Sequence, residues 1–435
     1  MRLFGTDGVR GRANEFVTPE LAFDLARAAG MSSDGPVVIG RDTRRSGSML
    51  ASALHSGFNT VGVDTVDLGV IPVGAVSCLS REIGAQLGVM VSASHNPAED
   101  NGVKFFDRDG AKLSDDSEFA IEQRVQSGSP WPCLSGLEVG VQSVMDDAVE
   151  QYVKQILSGF EYDLSGIEFA VDCANGAAIH AAPLALRSLG AVVEVFAAEP
   201  DGANINDGCG ATNPSYLAKR SNGRVGLCFD GDADRLIAID EDGASVNGDV
   251  LMAVFARYLK ERNQLQNDLV VTTVMSNLGF SKAMERIGVK VLRTPVGDRY
   301  VLEEMRRAKA VLGGEQSGHI LLSDRSAGDG IRTALQLAAV ITSTGRELRE
   351  LRKGMKEFPQ VLENVSVARK EALVDSERVW IEVADAERRL ADDGRVLVRA
   401  SGTEPLIRVM VEASTVSLAS EVASHLSGIV AEELG

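Results

Sequence analysis

The sequence predicts an α/β protein: several units built on parallel or mixed sheets and facing one cleft, followed by a smaller C-terminal α+β domain. Three observations carry this. One pattern recurs, in which a short apolar run enters a polar, glycine-rich loop and a helical pattern follows. It is found in "PVVIGRDTRRSG" (36–47), "GVMVSASHNP" (88–97), "FAVDCANGAA" (169–178), "LVVTTVMSNLG" (269–279) and "AVLGGEQSGH" (310–319). Strands alternating with helices imply parallel sheets, which present ligand loops at the strand carboxyl ends. The last stretch reads differently: "GRVLVRASGTEPLIRVMVEAS" (394–414) is strand, loop, strand, and "LASEVASHLSGIVAEEL" (418–434) is an amphipathic helix. Finally, 435 residues, 44% of them hydrophobic, exceed what one core organises and suit three or four domains.

Taken in order, residues 1–148 form the first α/β domain, closed off by the Pro/Gly/Ser-rich surface segment "SGSPWPCLSG" (127–136). A helical stretch near 149 opens the second, 149–246, and "EDGASVNGD" (241–249) connects it to the third, 247–356. The stretch "KEFPQV" (356–361) breaks a charged helix and opens the α+β domain, 357–435. Aromatics are only 5%, so aliphatic residues must fill the interiors. A net charge of −18 argues against a nucleic-acid partner, which needs a basic surface. The cysteines at 78, 133, 173, 209 and 228 show no C-x-x-C or zinc spacing and read as reduced thiols, mostly small core residues. "MRLFGTDGVRGRAN" has no apolar signal region, and no apolar run is long enough to span a bilayer, so a soluble, cytoplasmic protein without membrane association is expected.

The sharpest chemical signal is "FDGDADR" (229–235). Asp230, Asp232 and Asp234 are spaced so that an extended chain points them the same way. Three carboxylates on one side of a short loop repel unless a cation neutralises them, and oxygen-only ligation suits Mg²⁺ better than zinc. An EF-hand is disfavoured, because Arg235 stands where that loop needs glycine and the flanks "RVGLCF" and "RLIAID" are strands. The bland alternative is a solvated acidic turn.

Ser94, in "VSASHNP" (91–97), reads as a nucleophile, a phosphate carrier or a capping serine; the G-x-S-x-G of a hydrolase is absent, and His95 is too close in sequence to be its base. Lys104, in the apolar strand "DNGVKFF", could accept a proton if partly buried beside other cations. In "ASGTEPLIR" (400–408), Ser401, Gly402 and Thr403 offer backbone N–H groups and hydroxyls, with Arg399 and Arg408 flanking, a suitable cradle for a phosphate dianion. In "GGEQSGH" (313–319), Glu315 and Ser317 suit sugar hydroxyls, and His319 can move a proton near neutral pH. "GTDGVRG" (5–11) is glycine-rich but lacks a Walker lysine, and no Rossmann fingerprint is present. A metal site, a serine acceptor, a phosphate cradle and a polar sugar site together suit phosphoryl transfer, which depends on positioning and charge neutralisation.

In this order, "GTDGVRG", "SASHNP", "DNGVKFF", "DGDADR", "GEQSGH" and "RASGTEP" resemble the α-D-phosphohexomutase superfamily over almost the whole chain. Within it, "VMSNLG" (274–279), "VGDRYV" (296–301) and "SGTEPLIRVMVE" make the chain most similar to the bacterial phosphoglucosamine mutase branch. The resemblance implies three related α/β domains and a smaller, mobile last domain around a central cleft. It implies an isomerase that converts glucosamine 6-phosphate to glucosamine 1-phosphate through phosphorylated Ser94 and a glucosamine 1,6-bisphosphate intermediate and activator, and it implies a homodimer. By the same resemblance Ser94, Asp230, Asp232 and Asp234 hold Mg²⁺, Lys104 is the general base and His319 assists. Arg10, Lys104 and Arg235 balance charge, and His95 orients its loop. Glu315 and Ser317 bind sugar hydroxyls, and Arg399, Ser401, Gly402, Thr403 and Arg408 hold the non-reacting phosphate. Two stretches depart from the family pattern: Val73 and Gly74, in "GVIPVGAV" (69–76), stand where Thr-Pro is common, and Asn213, in "GATNPS" (210–215), where His is expected. The alternatives left open are a phosphomannomutase/phosphoglucomutase, a phosphatase that loses the phosphoserine to water, and a non-catalytic sugar-phosphate sensor.

Overall fold

A computed structural model describes the chain except for residues 1, 2, 6, 129, 323–326 and 402–404. It divides into two compact units, Met1–Met275 with Val289–Lys353, and Ser276–Gly288 with Gly354–Gly435.

The first unit holds three mixed sheets. The first contains β1 (Val9–Arg12), β2 (Val37–Arg41), β3 (Thr65–Val70), β4 (Leu87–Val91), β5 (Asp100–Phe106) and β6 (Gln142–Val144), in the order β1-β5-β4-β2-β3-β6. Strands β4, β2, β3 and β6 run parallel, and β5 and β1 add antiparallel at one side. Four residues of β2, Val37 to Gly40, are buried, the continuous run expected of a strand covered on both faces. The helix Pro19–Gly30 starts where Thr18 accepts from the Leu21 N–H at 3.2 Å, with Pro19 in the first turn. It packs with the helix Gly47–Thr60 over a core that includes Leu25, Leu50, Leu54 and Phe58.

The second sheet contains β7 (Glu168–Asp172), β8 (Val192–Phe196), β9 (Val225–Phe229), β10 (Leu236–Ile239) and β11 (Ser245–Val246), in the order β11-β10-β9-β7-β8. The third contains β12 (Leu269–Thr273), β13 (Lys290–Thr294), β14 (Leu312–Gly314) and β15 (Ile320–Leu322), in the order β13-β12-β14-β15. Each again has a parallel part and an antiparallel edge.

Two of the five recurring loops differ from expectation. The loop 92–99 leads into β5, antiparallel to β4, and the loop 315–319 leads into β15, antiparallel to β14. In both the chain reverses on a positive φ, at Ser94 (52°) and Gly318 (91°), and the following apolar run is too short for a helix. The connector 241–249 contributes β11, and its Asn247 caps the helix Gly248–Glu261.

The second unit is a three-stranded antiparallel sheet of β16 (Gln360–Ser366), β17 (Arg395–Ala400) and β18 (Leu406–Glu412), with β18 in the centre. The helices Glu377–Leu390 and Val416–Leu434 cover it, with Val379, Leu426 and Val430 in the core. The helix Leu278–Arg286 belongs to this unit. Buried Glu412 accepts from the Leu278 N–H at 2.7 Å and from Arg395 Nε at 2.8 Å, and Arg395 donates to the Ser276 carbonyl at 2.6 Å.

Candidate active site

In the first unit, the hairpin turn between β9 and β10 carries the acidic loop. Asp230, Asp232 and Asp234 are buried, and each offers a carboxylate oxygen within 4.8 Å of the others. Ala233 takes a left-handed φ of 59°, costly for a residue with a side chain. Burial, and then the charges of Asp234 and Asp232, push the Asp230 carboxyl up to about 8. Asp232 and Asp234 each keep one buried carboxylate oxygen without a hydrogen-bond partner among the described residues. An oxygen cage of this kind fits a hard divalent cation.

Ser94 meets this loop directly. Its Oγ donates to Asp230 Oδ2 at 2.6 Å, and its φ is 52°. A braced framework holds this conformation. Asp42 accepts from Arg44 Nε at 2.9 Å and from Ser92 Oγ at 2.6 Å, and Ser92 Oγ accepts from the Ser94 N–H at 2.9 Å. Arg44 in turn donates to the carbonyls of Ser94 (2.9 Å) and Asn96 (2.8 Å) and to that of Pro97, while Asn206 donates to the Ser94 carbonyl at 2.9 Å. The two loops can touch because Gly231 has no side chain: a Cβ there would lie 2.5 Å from the Ser94 carbonyl oxygen.

The surrounding charges close into a ring of alternating sign. Lys104 Nζ, on β5, lies 2.7 Å from Asp232, 3.1 Å from Asp7 and 3.6 Å from Asp234. Lys104 is thus buried among three carboxylates, with Lys112 the neighbouring cation. Asp7 also pairs with Arg10 and Lys112, and Lys112 lies 2.6 Å from Asp298. His319 completes the circuit, with Nε2 3.3 Å from Asp298 and Nδ1 3.5 Å from Asp234. Burial works against the imidazolium, but Asp234 and Asp298 outweigh it and raise the His319 pKa. Burial likewise works against ionised Asp298, yet Lys112 and His319 hold it well below the usual carboxylate range.

His95 Nδ1 is 3.4 Å from Ser94 Oγ. Burial, then Arg235 and Arg10, push this imidazole down to about 4, so it is neutral at pH 7. Arg235 Nε is 3.7 Å from Asp234. The 315–319 loop adjoins through a bridge between Arg235 and His319. Within that loop Glu315 accepts from the Gly297 N–H at 3.1 Å, and Ser317 Oγ donates to Glu315 at 3.4 Å.

In the second unit Arg399 and Arg408 stand directly opposite on β17 and β18. Burial, and then the neighbouring Arg408, lower the Arg399 pKa. Ser401 N–H donates to the Leu406 carbonyl at 2.9 Å, and Lys370 Nζ donates to the Ser401 carbonyl at 3.0 Å. Gly402 and Thr403 lie outside the described residues.

The structure therefore brings Ser94, His95, Arg10, Lys104, the three aspartates, Arg235, Glu315, Ser317 and His319 together in the first unit. Sequence reasoning missed Asp7, Asp42, Arg44, Lys112, Asn206 and Asp298. Asp42 and Arg44 carry a readable signal, since "GRDTRR" places charges directly after an apolar strand. Asp298, in "VGDRYV", does the same after β13.

Four family descriptions match the chain in succession. They are phosphoglucomutase/phosphomannomutase alpha/beta/alpha domain I at residues 1–130, domain II at 150–243, domain III at 247–358 and the C-terminal domain at 362–428. Among curated relatives, the phosphoglucosamine mutase of Shouchella clausii is 47% identical over 443 residues, covering 100% of this chain and 99% of its own length. That of Desulforudis audaxviator is 49% identical over 440 residues, covering 99% and 98%. Among solved structures, a phosphoglucomutase/phosphomannomutase family protein of Burkholderia thailandensis superposes with a TM-score of 0.83 at 24% identity, covering 99% of this chain and 98% of its own. The N-acetylphosphoglucosamine mutase of Aspergillus fumigatus, solved with GlcNAc-6P and magnesium, gives 0.70 at 19% identity, covering 99% and 95%. Both structural likenesses are of fold.

Proposed function

This chain belongs to the phosphoglucomutase/phosphomannomutase family, and on that premise we infer that it interconverts glucosamine 6-phosphate and glucosamine 1-phosphate, feeding UDP-N-acetylglucosamine and cell-wall precursor synthesis. The observation that carries the chemistry is Ser94 Oγ, 2.6 Å from Asp230 in a buried three-carboxylate cluster. The substrate assignment is supported by full-length relatives named as phosphoglucosamine mutases.

In the proposed reaction Ser94 works as its phosphoserine. The sugar O1 attacks phosphorus, the bond to Ser94 Oγ breaks, and a 1,6-bisphosphate forms. After the bisphosphate turns around, Ser94 Oγ attacks the 6-phosphoryl group and the sugar leaves as the 1-phosphate. Lys104 takes and returns the hydroxyl proton as general base, and His319, also against Asp234, assists. Asp230, Asp232 and Asp234 would hold Mg²⁺ with a phosphoserine oxygen, and the ion supplies charge neutralisation at the phosphoryl group. A phosphoserine adds about −1.5 to −2 of charge, so Arg10, Lys104 and Arg235 are needed nearby. His95, neutral at pH 7, orients the serine loop. Glu315 and Ser317 bind sugar hydroxyls. In the second unit, Arg399, Ser401, Gly402, Thr403 and Arg408 bind a phosphate, a role supported by the paired guanidiniums.

The domain divisions 1–148, 149–246, 247–356 and 357–435 are part of the proposal; each of the four sheets falls inside one of them. So is a cytoplasmic location, supported by five unpaired cysteines. No helix among the described residues is long and apolar enough to cross a membrane. A homodimer is also part of the proposal, and light scattering at twice the chain mass checks it.

Phosphorus NMR of the Mg²⁺-loaded protein with glucosamine, glucose and mannose 6-phosphates, each with a trace of its 1,6-bisphosphate, tests the function. Glucosamine 1-phosphate should appear fastest. A preference for glucose or mannose would move the chain to a sister activity, and release of inorganic phosphate alone would make it a phosphatase.

A further inference from the structure

The backbone of the acidic loop is gripped from two sides. The Val73 N–H donates to the Asp232 carbonyl at 3.0 Å, and the Gly330 N–H donates to the Ala233 carbonyl at 2.9 Å. These donors begin two different helices, Val73–Glu82 and Gly330–Thr344. The residues beside them, Gly74 and Asp329, press on one another: a Cβ on Gly74 would lie 2.5 Å from Asp329 Cγ and Oδ2. Asp329 is buried and already committed, since it caps its own helix by accepting from the Ile331 and Arg332 N–H groups at 3.0 Å. From a third helix, Ala148–Leu157, the fully buried Tyr152 donates its hydroxyl to the same carboxylate, 2.9 Å from either oxygen.

We propose that Gly74, Tyr152 and Asp329 form a brace that positions the acidic loop for its cation, as positioning residues that touch neither cation nor substrate. This rests on reading Asp230, Asp232 and Asp234 as the metal site. Tyr152 fixes Asp329, Asp329 fixes the start of its helix and so the Gly330 N–H, and the close fit at Gly74 sets the Val73 N–H. Both donors hold carbonyls within the loop, at Asp232 itself and at Ala233 with its left-handed φ of 59°. Any side chain at Gly74 must push Asp329 off its partners or push Val73 off the loop.

The test is Mn²⁺ titration followed by the electron paramagnetic resonance of free Mn²⁺, which needs no substrate. Tyr152→Phe and Gly74→Ala should each weaken Mn²⁺ binding by roughly 10-fold, the low end of what outer-shell partners cost. Tyr162→Phe removes a tyrosine hydroxyl bond of 2.8 Å, to Tyr258, away from the brace and should change affinity by less than about 2-fold. Asp329→Ser keeps a capping oxygen but vacates the space facing Gly74. In that background Gly74→Ala should cost nothing further, a non-additivity that independent sites would not show. A folded Tyr152→Phe that binds Mn²⁺ like wild type overturns the brace, and so does an equal loss in Tyr162→Phe; if Gly74→Ala does not fold, Tyr152→Phe decides alone. Wild-type protein that binds no Mn²⁺ overturns the cation reading, and the brace with it.

Discussion

Ser94 combines two features that seldom coincide in one residue: a left-handed backbone at φ 52° and a buried hydroxyl bonded to a carboxylate. Strain of this kind persists only where neighbours over-determine it, and Arg44, donating to three carbonyls, does so here together with Asn206. Under the proposed mechanism Ser94→Ala should lower mutase turnover by at least about 10³-fold, the scale of deleting a covalent nucleophile. The phosphoryl adduct of about 80 Da should disappear from intact-protein mass spectra. Retained turnover would sink the serine-carrier mechanism. At this scale the sequence was legible where side-chain type announces chemistry, as at Asp230, Asp232 and Asp234. It was not legible for Lys112 or Asn206, whose importance comes from partners distant in sequence. Val73 and Gly74 stood out only as departures from a pattern, and their contact with the acidic loop and Asp329 is a product of the fold.

At the scale of elements, β7 ends in a buried acid. Asp172 accepts from the Gly210 N–H at 2.7 Å and the Ala174 N–H at 2.9 Å, yet burial still pushes it up to about 6. An acid whose folded pKa is raised binds its proton more tightly when folded, so its stabilising contribution is full below the unfolded value and is lost as pH rises through about 6. The loss should amount to about 3 kcal/mol between pH 3 and pH 7, at 1.36 kcal/mol per pKa unit, with about 2 kcal/mol of it between pH 4 and pH 6. Urea denaturation of wild type and Asp172→Asn at each pH would isolate it, since the variant should lack this part of the slope; parallel curves would refute it. Glu412, at the end of β18, is a second buried acid with a different duty, because it joins Leu278 and Arg395 within the second unit. Breaking a buried pair costs about 3–5 kcal/mol, so Glu412→Gln should speed hydrogen exchange at the Leu278 amide and lower the unit's stability, while wild-type exchange there would argue against it. The strand-loop-helix pattern made most elements readable. The two misread loops turned on Ser94 and Gly318, whose reversal of the chain leaves no periodic trace in sequence.

For the whole molecule, the arrangement of three α/β sheets and one antiparallel sheet followed from length and from the change of pattern after residue 356. What the sequence could not convey was the transfer of Ser276–Gly288 to the C-terminal unit, because that depends on Glu412. Under the proposed metal assignment, the buried carboxylates of the first unit should make its stability depend on Mg²⁺. Mg²⁺ at 100 times its dissociation constant should stabilise this unit by about 2.7 kcal/mol and raise its melting transition by roughly 4 °C. Differential scanning calorimetry with Mg²⁺ or with EDTA would show the shift in wild type and not in Asp232→Asn; equal shifts in both would locate the ion elsewhere.

The interrupted second unit also sets a timetable for synthesis. Ser276–Gly288 leaves the ribosome well before Glu412, which fastens it. At elongation rates of about 5–20 residues per second, that interval lasts on the order of 6–25 s. Throughout it the nascent helix Leu278–Arg286 holds its apolar side, with buried Phe280 and Met284, ready for a sheet that has not yet been made. The last unit can close only after β18 has been made. A chain stopped short of β18 would display that helix as an orphan, a natural mark for chaperones and proteases that survey unfinished proteins.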